Sequence, residues 1–256
     1  IRDRQFDVSL ILVGHLTKDG SLAGPRLIEH LVDTVLSFGG ERTSDLRYLR
    51  AVKHRFGPTT EVGLFEMSTA GLAGVVDPSD RFLTDRQPGL AGSVVVPAVE
   101  GRRPVLVELQ ALTVGSGHMD GSVTVQGIDG RRLAMVSAVL ASRASCNLSS
   151  HDVFVSSTGG AKVAEPGADL AMAVGLVSSM VDRPPPADLV VCGEIGLGGE
   201  VRSVPLLAAR LQEAYRLGFR TALVPASAPD GPTGMTVLRA TTVADGLASV
   251  IGKLAR

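Results

Sequence analysis

Residues 46–57 combine the pattern of a β-strand with a positively charged end. Their sequence is Leu-Arg-Tyr-Leu-Arg-Ala-Val-Lys-His-Arg-Phe-Gly. The alternation over residues 46–52 predicts a β-strand with one buried face. Gly57 and Pro58 predict a turn that ends this strand. Lys53 and Arg55 stand two residues apart, and side chains at that spacing on a strand point to the same face. The pattern therefore predicts two cations at a strand end that can reach one anion.

Two interpretations of this basic end stay open on spacing alone. One is an anion-binding strand end, and the other is a solvated strand end that carries ordinary surface charge. Net charge does not decide between them. The chain carries a formal net charge of −1, so a nucleic-acid role has to come from local clustering of cations.

Length and composition limit the class of protein. With 256 residues the chain is long enough for two modest domains or one large one. A hydrophobic content of 45% with 20% charged residues is typical of a soluble, folded protein. No apolar run reaches the roughly 18 residues that span a bilayer, and no leader pattern is present, so a cytoplasmic protein is expected. Cys146 and Cys192 show no CxxC spacing and are predicted to be buried, with no zinc site.

The N-terminal part predicts a strand and then a loop. The apolar run over residues 8–13 is typical of a parallel strand buried on both faces, which needs neighbours on each side. We therefore expect further sequence before Ile1. Residues 14–25 contain too many glycines, with one proline, for a helix, and the glycines would let the backbone approach a ligand closely. Lys18 lies in this loop and Arg26 follows it; an exposed connection and a binding loop both remain possible.

The rest of the chain alternates strand and helix patterns. Strands are predicted over residues 31–38, 45–53, 61–67, around 71–76, 93–96, 104–111, 152–156, 189–192 and 221–224. Helices are predicted over residues 131–143, from near Pro166, after Pro205 and over residues 243–254, and residues 113–130 are predicted to be a loop. Glu194 and Glu200 are expected to satisfy main-chain and turn donors.

Several segments resemble the bacterial RadA family, also called Sms, of DNA-repair ATPases. They are VGHLTKDGSLAGPRLIEHLVD (13–33), KHRFG (53–57), EGRRPVLVELQAL, EPGADLAMAVGLVSSM and GEIGLGGEVRSVP. The second resembles that family's own Lys-Asn-Arg-Phe-Gly signature, with His54 at the Asn position. The family motif thus falls on Lys53, His54, Arg55, Phe56 and Gly57.

The resemblance implies an α/β fold with two parts. Residues 1–85 would be the C-terminal portion of a RecA-like ATPase sheet. Residues 86–256 would be an α+β Lon-protease-like (ribosomal protein S5 domain 2-like) domain. Lon-type proteases use a Ser–Lys dyad, in which a neutral lysine accepts the serine proton. The matching positions are Gly167 and Ala208, and no lysine occurs from residue 163 to 252, so a Lon-family peptidase is the disfavoured alternative.

The resemblance also implies a function for the longer protein. It would hydrolyse ATP with magnesium on single-stranded or branched DNA, assemble as a homo-hexamer and promote branch migration, with a RecA-type recombinase as a possible partner. No GxxxxGK[ST] phosphate loop occurs in this chain, and that loop and a zinc motif would precede residue 1. Lys53 and Arg55 would act on the nucleotide of a neighbouring subunit, and Lys18, Arg26 and Arg55 would contact DNA. A further alternative is an assembly module without DNA affinity.

Overall fold

The computed structural model describes residues 2–3, 8–14, 27–40, 45–59, 62–75, 77–100, 103–116 and 121–252. The chain divides into two compact units, residues 1–76 and 77–256. The mixed α/β class expected from the sequence is confirmed, since strands and helices occur throughout the described residues.

The first unit centres on an antiparallel sheet of four strands. A two-stranded ladder of β1 (Arg2–Asp3) and β2 (Val8–Ser9) comes first, followed by the short helix α1 (Leu27–Leu31). The sheet has the order β3 (Thr34–Gly39), β4 (Leu46–His54), β5 (Val62–Ser68) and β6 (Gly71–Gly74). Three predicted strands are confirmed, and the one predicted over 31–38 begins only at Thr34, because Leu31 still belongs to α1.

The predicted buried strand over residues 8–13 is wrong. Only Val8 and Ser9 lie in a strand, and they pair antiparallel with β1. Leu10 to Val13 are exposed, with Ile11 at 85% and Val13 at 93%. An apolar run becomes a buried parallel strand only when strands flank it on both sides, and no such neighbours pair with it among the described residues.

The pairing of β3 with β4 contains a β-bulge. Val35 pairs with Lys53, whereas Leu36 pairs with Ala51, so Val52 is an extra residue on β4. The bulge lies directly before the basic motif. It places Lys53 on the face of Val35, and Ala51 on the face of Leu36.

The second unit centres on a mixed sheet of seven strands. Its strands are β7 (Ser93–Glu100), β8 (Arg103–Gly115), β9 (Val123–Gln126), β10 (His151–Ser157), β11 (Leu189–Val191), β14 (Thr221–Pro225) and β15 (Thr236–Ala240). They lie in the order β15-β14-β11-β7-β8-β10-β9. β8 pairs antiparallel with β7 and β10, and the other neighbours pair parallel. A small hairpin of β12 (Glu194–Ile195) and β13 (Val201–Arg202) stands apart from this sheet.

Helices cover both faces of the seven-stranded sheet. They are α2 (Pro78–Leu83), α3 (Gly130–Arg143), α4 (Asp169–Met180), α5 (Leu207–Arg216) and α6 (Val243–Val250), with 3₁₀ turns at Thr158–Gly160 and Pro166–Ala168. α4 packs on β7 and β8, and α3 and α6 pack on α4. On the other face, α5 packs on β7 and β8 and contributes Leu207 and Leu211 to a core cluster with Val95 and Leu106.

The helix predictions hold where the apolar spacing is regular. α3 buries Leu133, Val136, Val139 and Leu140, and Asp129 caps its N-terminus by accepting from the Arg131 N–H at 2.8 Å. α4 is buried from Asp169 to Ser178, which places it in the centre of the unit.

Helix α2 belongs to the second unit, whereas the division predicted at residues 85 and 86 had placed it in the first.

Candidate functional site

The basic motif lies where β4 ends. Lys53 and His54 are the last residues of the strand, and Arg55 continues the ladder by one hydrogen bond, from its N–H to the Asp33 carbonyl at 2.9 Å. Phe56 is 76% exposed in the turn that follows. Lys53 and Arg55 both approach the segment over residues 29–34, which joins α1 to β3 and is called here the α1–β3 corner.

Lys53 is held by main-chain carbonyl oxygens. Its Nζ donates to the carbonyls of Glu29 at 2.8 Å and Val32 at 3.0 Å, and to that of His30 at 3.4 Å. The last carbonyls of a helix have no partner within the helix, and they carry the negative end of its dipole. The ammonium therefore caps the C-terminus of α1. This contact stabilises a five-residue helix that would be marginal alone.

Arg55 is presented to solvent. Its side chain is 71% exposed, its Nη1 lies 3.2 Å from Asp33 Oδ1, and its guanidinium lies 5.9 Å from the centre of the Phe56 ring. Among the described residues, its Nε and Nη2 have no hydrogen-bond partner. The fork of a guanidinium can therefore still offer donors to an incoming phosphate.

His54 fills the position of the family asparagine. Its Nδ1 lies 2.9 Å from Thr34 Oγ1, again in the α1–β3 corner. A side-chain carbon built on Gly57 would come within 2.9 Å of the His54 ring, so the ring and the glycine pack together. A larger residue at position 57 would displace that ring.

The other two predicted DNA contacts, Lys18 and Arg26, lie outside the described residues. Of the seven predicted site residues, the structure brings together Lys53 and Arg55, with His54 between them. It adds the α1–β3 corner, which sequence reasoning missed. The carbonyl acceptors of this corner could not be predicted, because every residue has a main-chain carbonyl. The polar side chains of Asp33 and Thr34 were the only part of the corner that the sequence could have indicated.

Gly167 and Ala208, which the sequence resemblance matches to a Lon-type dyad, differ sharply in environment. Gly167 is buried and its carbonyl accepts from the Gly193 N–H at 2.9 Å, whereas Ala208 is exposed on α5. A side-chain carbon on Gly167 would lie 3.3 Å from Arg210 Nη1, 3.3 Å from Glu165 Oε2 and 3.5 Å from Cys192 Sγ. The position therefore borders an ion pair, without the neutral lysine that a serine nucleophile needs.

Arg210 is the buried cation of the second unit. It is 1% exposed, donates to both Glu165 carboxylate oxygens at 2.8 and 2.5 Å, and also donates to the carbonyls of Pro97 and Pro205. Sequence reasoning missed this residue. The signal was its place between Leu207 and Ala214 on the apolar face of α5.

A cleft of about 340 Å³ lies between α3 and the β12–β13 hairpin. At its wall Arg132 pairs with the buried Asp169 through Nε at 2.8 Å and Nη2 at 2.5 Å. Burial raises the pKa of the Asp169 carboxyl, and the hydrogen bonds from Arg132 oppose that rise. Hydrogen bonds from its own N–H and from Arg202 lower the pKa of the Glu200 carboxyl.

The described residues contain neither a membrane-spanning helix nor a cluster of metal ligands. None of the described helices is both long and apolar enough to cross a bilayer. Within the same part of the chain, no three His, Cys, Asp or Glu side chains come together as ligands for a metal ion.

Comparison with known proteins finds one family model and a set of relatives that share one name. The model of the family described as subunit ChlI of Mg-chelatase matches residues 133–228, all within the second unit. The DNA repair protein RadA of Bacillus subtilis is 45% identical over 249 residues, 96% of this chain and 54% of that protein. The RadA proteins of Mycobacterium tuberculosis (44%, covering 93% and 49%) and Brucella abortus (50%, covering 87% and 48%) match similarly.

Over most of its length the chain is thus similar to a class of bacterial proteins named for DNA repair. The chain belongs to the RadA family. It spans about half the length of the relatives it matches.

Proposed function

We propose that this chain is part of a DNA-dependent ATP hydrolase of DNA repair, which processes recombination intermediates and promotes branch migration. The observation that carries the proposal is Arg55, a guanidinium 71% exposed within a Lys-x-Arg-Phe-Gly motif of a RadA-family chain. A solvated arginine at a strand end, with donors still available, suits an interaction with a phosphate presented by another molecule.

The two parts predicted from the sequence would have different roles. In this proposal the first part, residues 1–85, is the end of a RecA-like ATPase sheet. The second, residues 86–256, is a Lon-protease-like scaffold for assembly and DNA contact that has lost peptidase chemistry. The environment of Gly167 and the exposed Ala208 support that loss, because neither offers a nucleophile or a base.

The basic motif would act between subunits. In a homo-hexameric ring, nucleotide lies at subunit boundaries, and Arg55 and Lys53 would meet the phosphates bound by the neighbour. Bound ATP with magnesium supplies the phosphoryl group that is transferred to water. Cations placed at the developing negative charge stabilise the transition state. Arg55 fits this role as it stands, whereas Lys53 would exchange its three carbonyl oxygens for phosphate oxygens.

Contacts to DNA would come from Lys18, Arg26 and Arg55. Cations bind the phosphate backbone without regard to sequence, which suits a protein that acts on single-stranded or branched DNA. A RecA-type recombinase is the proposed partner in the cytoplasm, since branch migration follows strand exchange.

The experiment uses the full-length protein with Lys53→Ala, Arg55→Ala and, as a matched control, Lys162→Ala. Lysine 162 lies in the second unit, outside the proposed site. The first two variants should fold, assemble and bind ATP, yet lose turnover by about a thousandfold or more. The control should keep it. Unchanged turnover in both variants would refute the trans-acting role.

Mixed rings provide the sharper measurement. Subunits with Lys53→Ala and an intact phosphate loop are combined with subunits of the opposite genotype. Such mixtures should regain activity, because some boundaries then hold one complete site. Absence of activity in proven mixed rings would show that Lys53 does not act on a neighbour's nucleotide.

A second candidate follows from the near-neutral charge, with a formal net charge of −1. It is an assembly module without affinity for DNA. Binding to a single-stranded oligonucleotide at several salt concentrations separates the two, because phosphate contacts weaken steeply as salt rises.

A further inference from the structure

We propose that Asp33 is the positioning residue for Arg55, and that the α1–β3 corner fixes the orientation of the basic motif toward the neighbouring subunit. This inference rests on the proposed function, since it concerns how the trans-acting arginine is aimed. Asp33 is the last residue of the segment over residues 13–33 that resembles the family, and it lies outside the Lys-x-Arg-Phe-Gly motif.

Asp33 contacts Arg55 at both ends. The Arg55 N–H donates to the Asp33 carbonyl at 2.9 Å, and Arg55 Nη1 donates to Asp33 Oδ1 at 3.2 Å. One residue therefore holds the base of the arginine and its guanidinium. Asp33 is 34% exposed and Arg55 is 71% exposed, so the pair lies at the surface, where a second molecule has access.

The same corner holds the two residues before Arg55. The ammonium of Lys53 is bound to carbonyls of residues 29, 30 and 32, and the His54 ring is bound to Thr34. Three consecutive side chains of the motif thus each have a partner within residues 29–34. This arrangement fixes the strand end from which Arg55 projects.

The carboxylate leaves the arginine usable. It engages one Nη atom, while Phe56 packs near the guanidinium at 5.9 Å. Among the described residues, no acceptor binds Nε or Nη2 of Arg55, so these atoms can donate to a phosphate. A long, flexible side chain that is already oriented loses less freedom when it meets a phosphate, and small misplacements of a catalytic group are costly.

The expected effect is a fall in turnover with nucleotide affinity retained. Asp33→Asn and Asp33→Ala in the full-length protein should lower kcat roughly fivefold to tenfold, with KM for ATP nearly unchanged. Asp45→Asn is the matched control, because Asp45 is an exposed carboxylate of the same unit. It should keep wild-type kcat.

Coupling to Arg55 separates positioning from general damage. In an Arg55→Ala background, Asp33→Ala should cause no further loss, because the group it aims is gone. In mixed rings, Asp33→Ala subunits should complement phosphate-loop variants but should not complement Arg55→Ala subunits. Circular dichroism and ring assembly should match the wild type throughout.

Three results would overturn the inference. One is unchanged kcat in both Asp33 variants while Arg55→Ala is impaired. Another is higher kcat, which would mean that Asp33 withholds Arg55 from the nucleotide. The third is an equal loss in the Arg55→Ala background. If Arg55→Ala itself keeps full turnover, the proposed function fails first, and the two failures are thereby distinguished.

Discussion

Arg210 and Glu165 form a bidentate ion pair, with Nη1 and Nη2 at 2.8 and 2.5 Å from the two carboxylate oxygens. The pair lies next to Gly167. A Cβ atom at Gly167 would lie 3.3 Å from Arg210 Nη1. Any side chain larger than hydrogen at residue 167 would therefore contact this ion pair.

The first prediction concerns peptidase chemistry. The double variant Gly167→Ser/Ala208→Lys should gain no labelling by a fluorophosphonate probe and no casein cleavage. A serine at residue 167 would place its hydroxyl among Arg210, Glu165 and Cys192. The Arg210 guanidinium stays charged, so it cannot accept the proton of the serine hydroxyl. Probe labelling confined to residue 167, and lost in Gly167→Ala/Ala208→Lys, would contradict this expectation.

The second prediction concerns the stability of the ion pair. Arg210→Ala should lower the free energy of unfolding by about 3 kcal/mol, because it leaves the Glu165 carboxylate without its partner. Arg210→Met/Glu165→Gln should lie closer to the wild type, since no unpaired charge remains. Urea unfolding measures both.

Arg216→Ala is the control for this series. Arg216 is 51% exposed and pairs with Asp77 and Glu213, so its loss should cost about 1 kcal/mol or less. A cost for Arg210→Ala no larger than that of the control would show that burial adds nothing to the pair.

The third prediction concerns the two cysteines. Burial raises the pKa of Cys146 to about 11 and, as the largest effect, that of Cys192 to about 12. The thiolate is the nucleophile, so the native protein at pH 8 should resist iodoacetamide at both residues, and reactivity should rise only toward pH 11. Both should react in guanidinium chloride. Mass spectrometry reports each site, and rapid native alkylation at pH 8 would be the contrary result.

The fourth prediction concerns Lys18 and Arg26, which precede α1 in the sequence. Lys18→Ala and Arg26→Ala should each weaken DNA binding across sequences and reduce its salt dependence. Each lost phosphate contact should lower the slope by roughly 0.9 on duplex DNA or 0.7 on a single strand. Lys162→Ala serves as the control for general charge. Slopes that stay at the wild-type value in both loop variants would show that these residues do not bind DNA.

Regular spacing explains most of what the sequence predicted. The stripe of Leu133, Val136 and Leu140 indicated α3, whose stripe is buried, and the alternation over residues 46–52 indicated β4. The buried face predicted for β4 is not observed, since its residues with described burial are half-buried or exposed. Cys146 and Cys192 are buried as expected.

The failures share a different cause. The run over residues 8–13 is apolar, but its burial depends on strands that it does not adjoin in the described structure. Arg210 lies on the apolar face of α5, although arginine is usually found at the surface. Its burial is compensated by the Glu165 carboxylate and by the carbonyls of Pro97 and Pro205, which the sequence does not reveal. The acceptors of Lys53 are carbonyl oxygens, which every residue possesses, so no pattern could single them out.

Because Val52 is the extra residue of the bulge, β4 could lose one residue next to the basic motif without a change in the pairing on either side. Leu36 pairs with Ala51 and Val35 with Lys53, so a chain without Val52 could keep both pairings in one unbroken ladder. Elsewhere in a sheet, loss of one residue turns every following side chain to the opposite face. Val52 is 62% exposed, and little buried surface would be lost with it. Relatives that differ by one residue at this point could therefore still direct the same cations at the same corner.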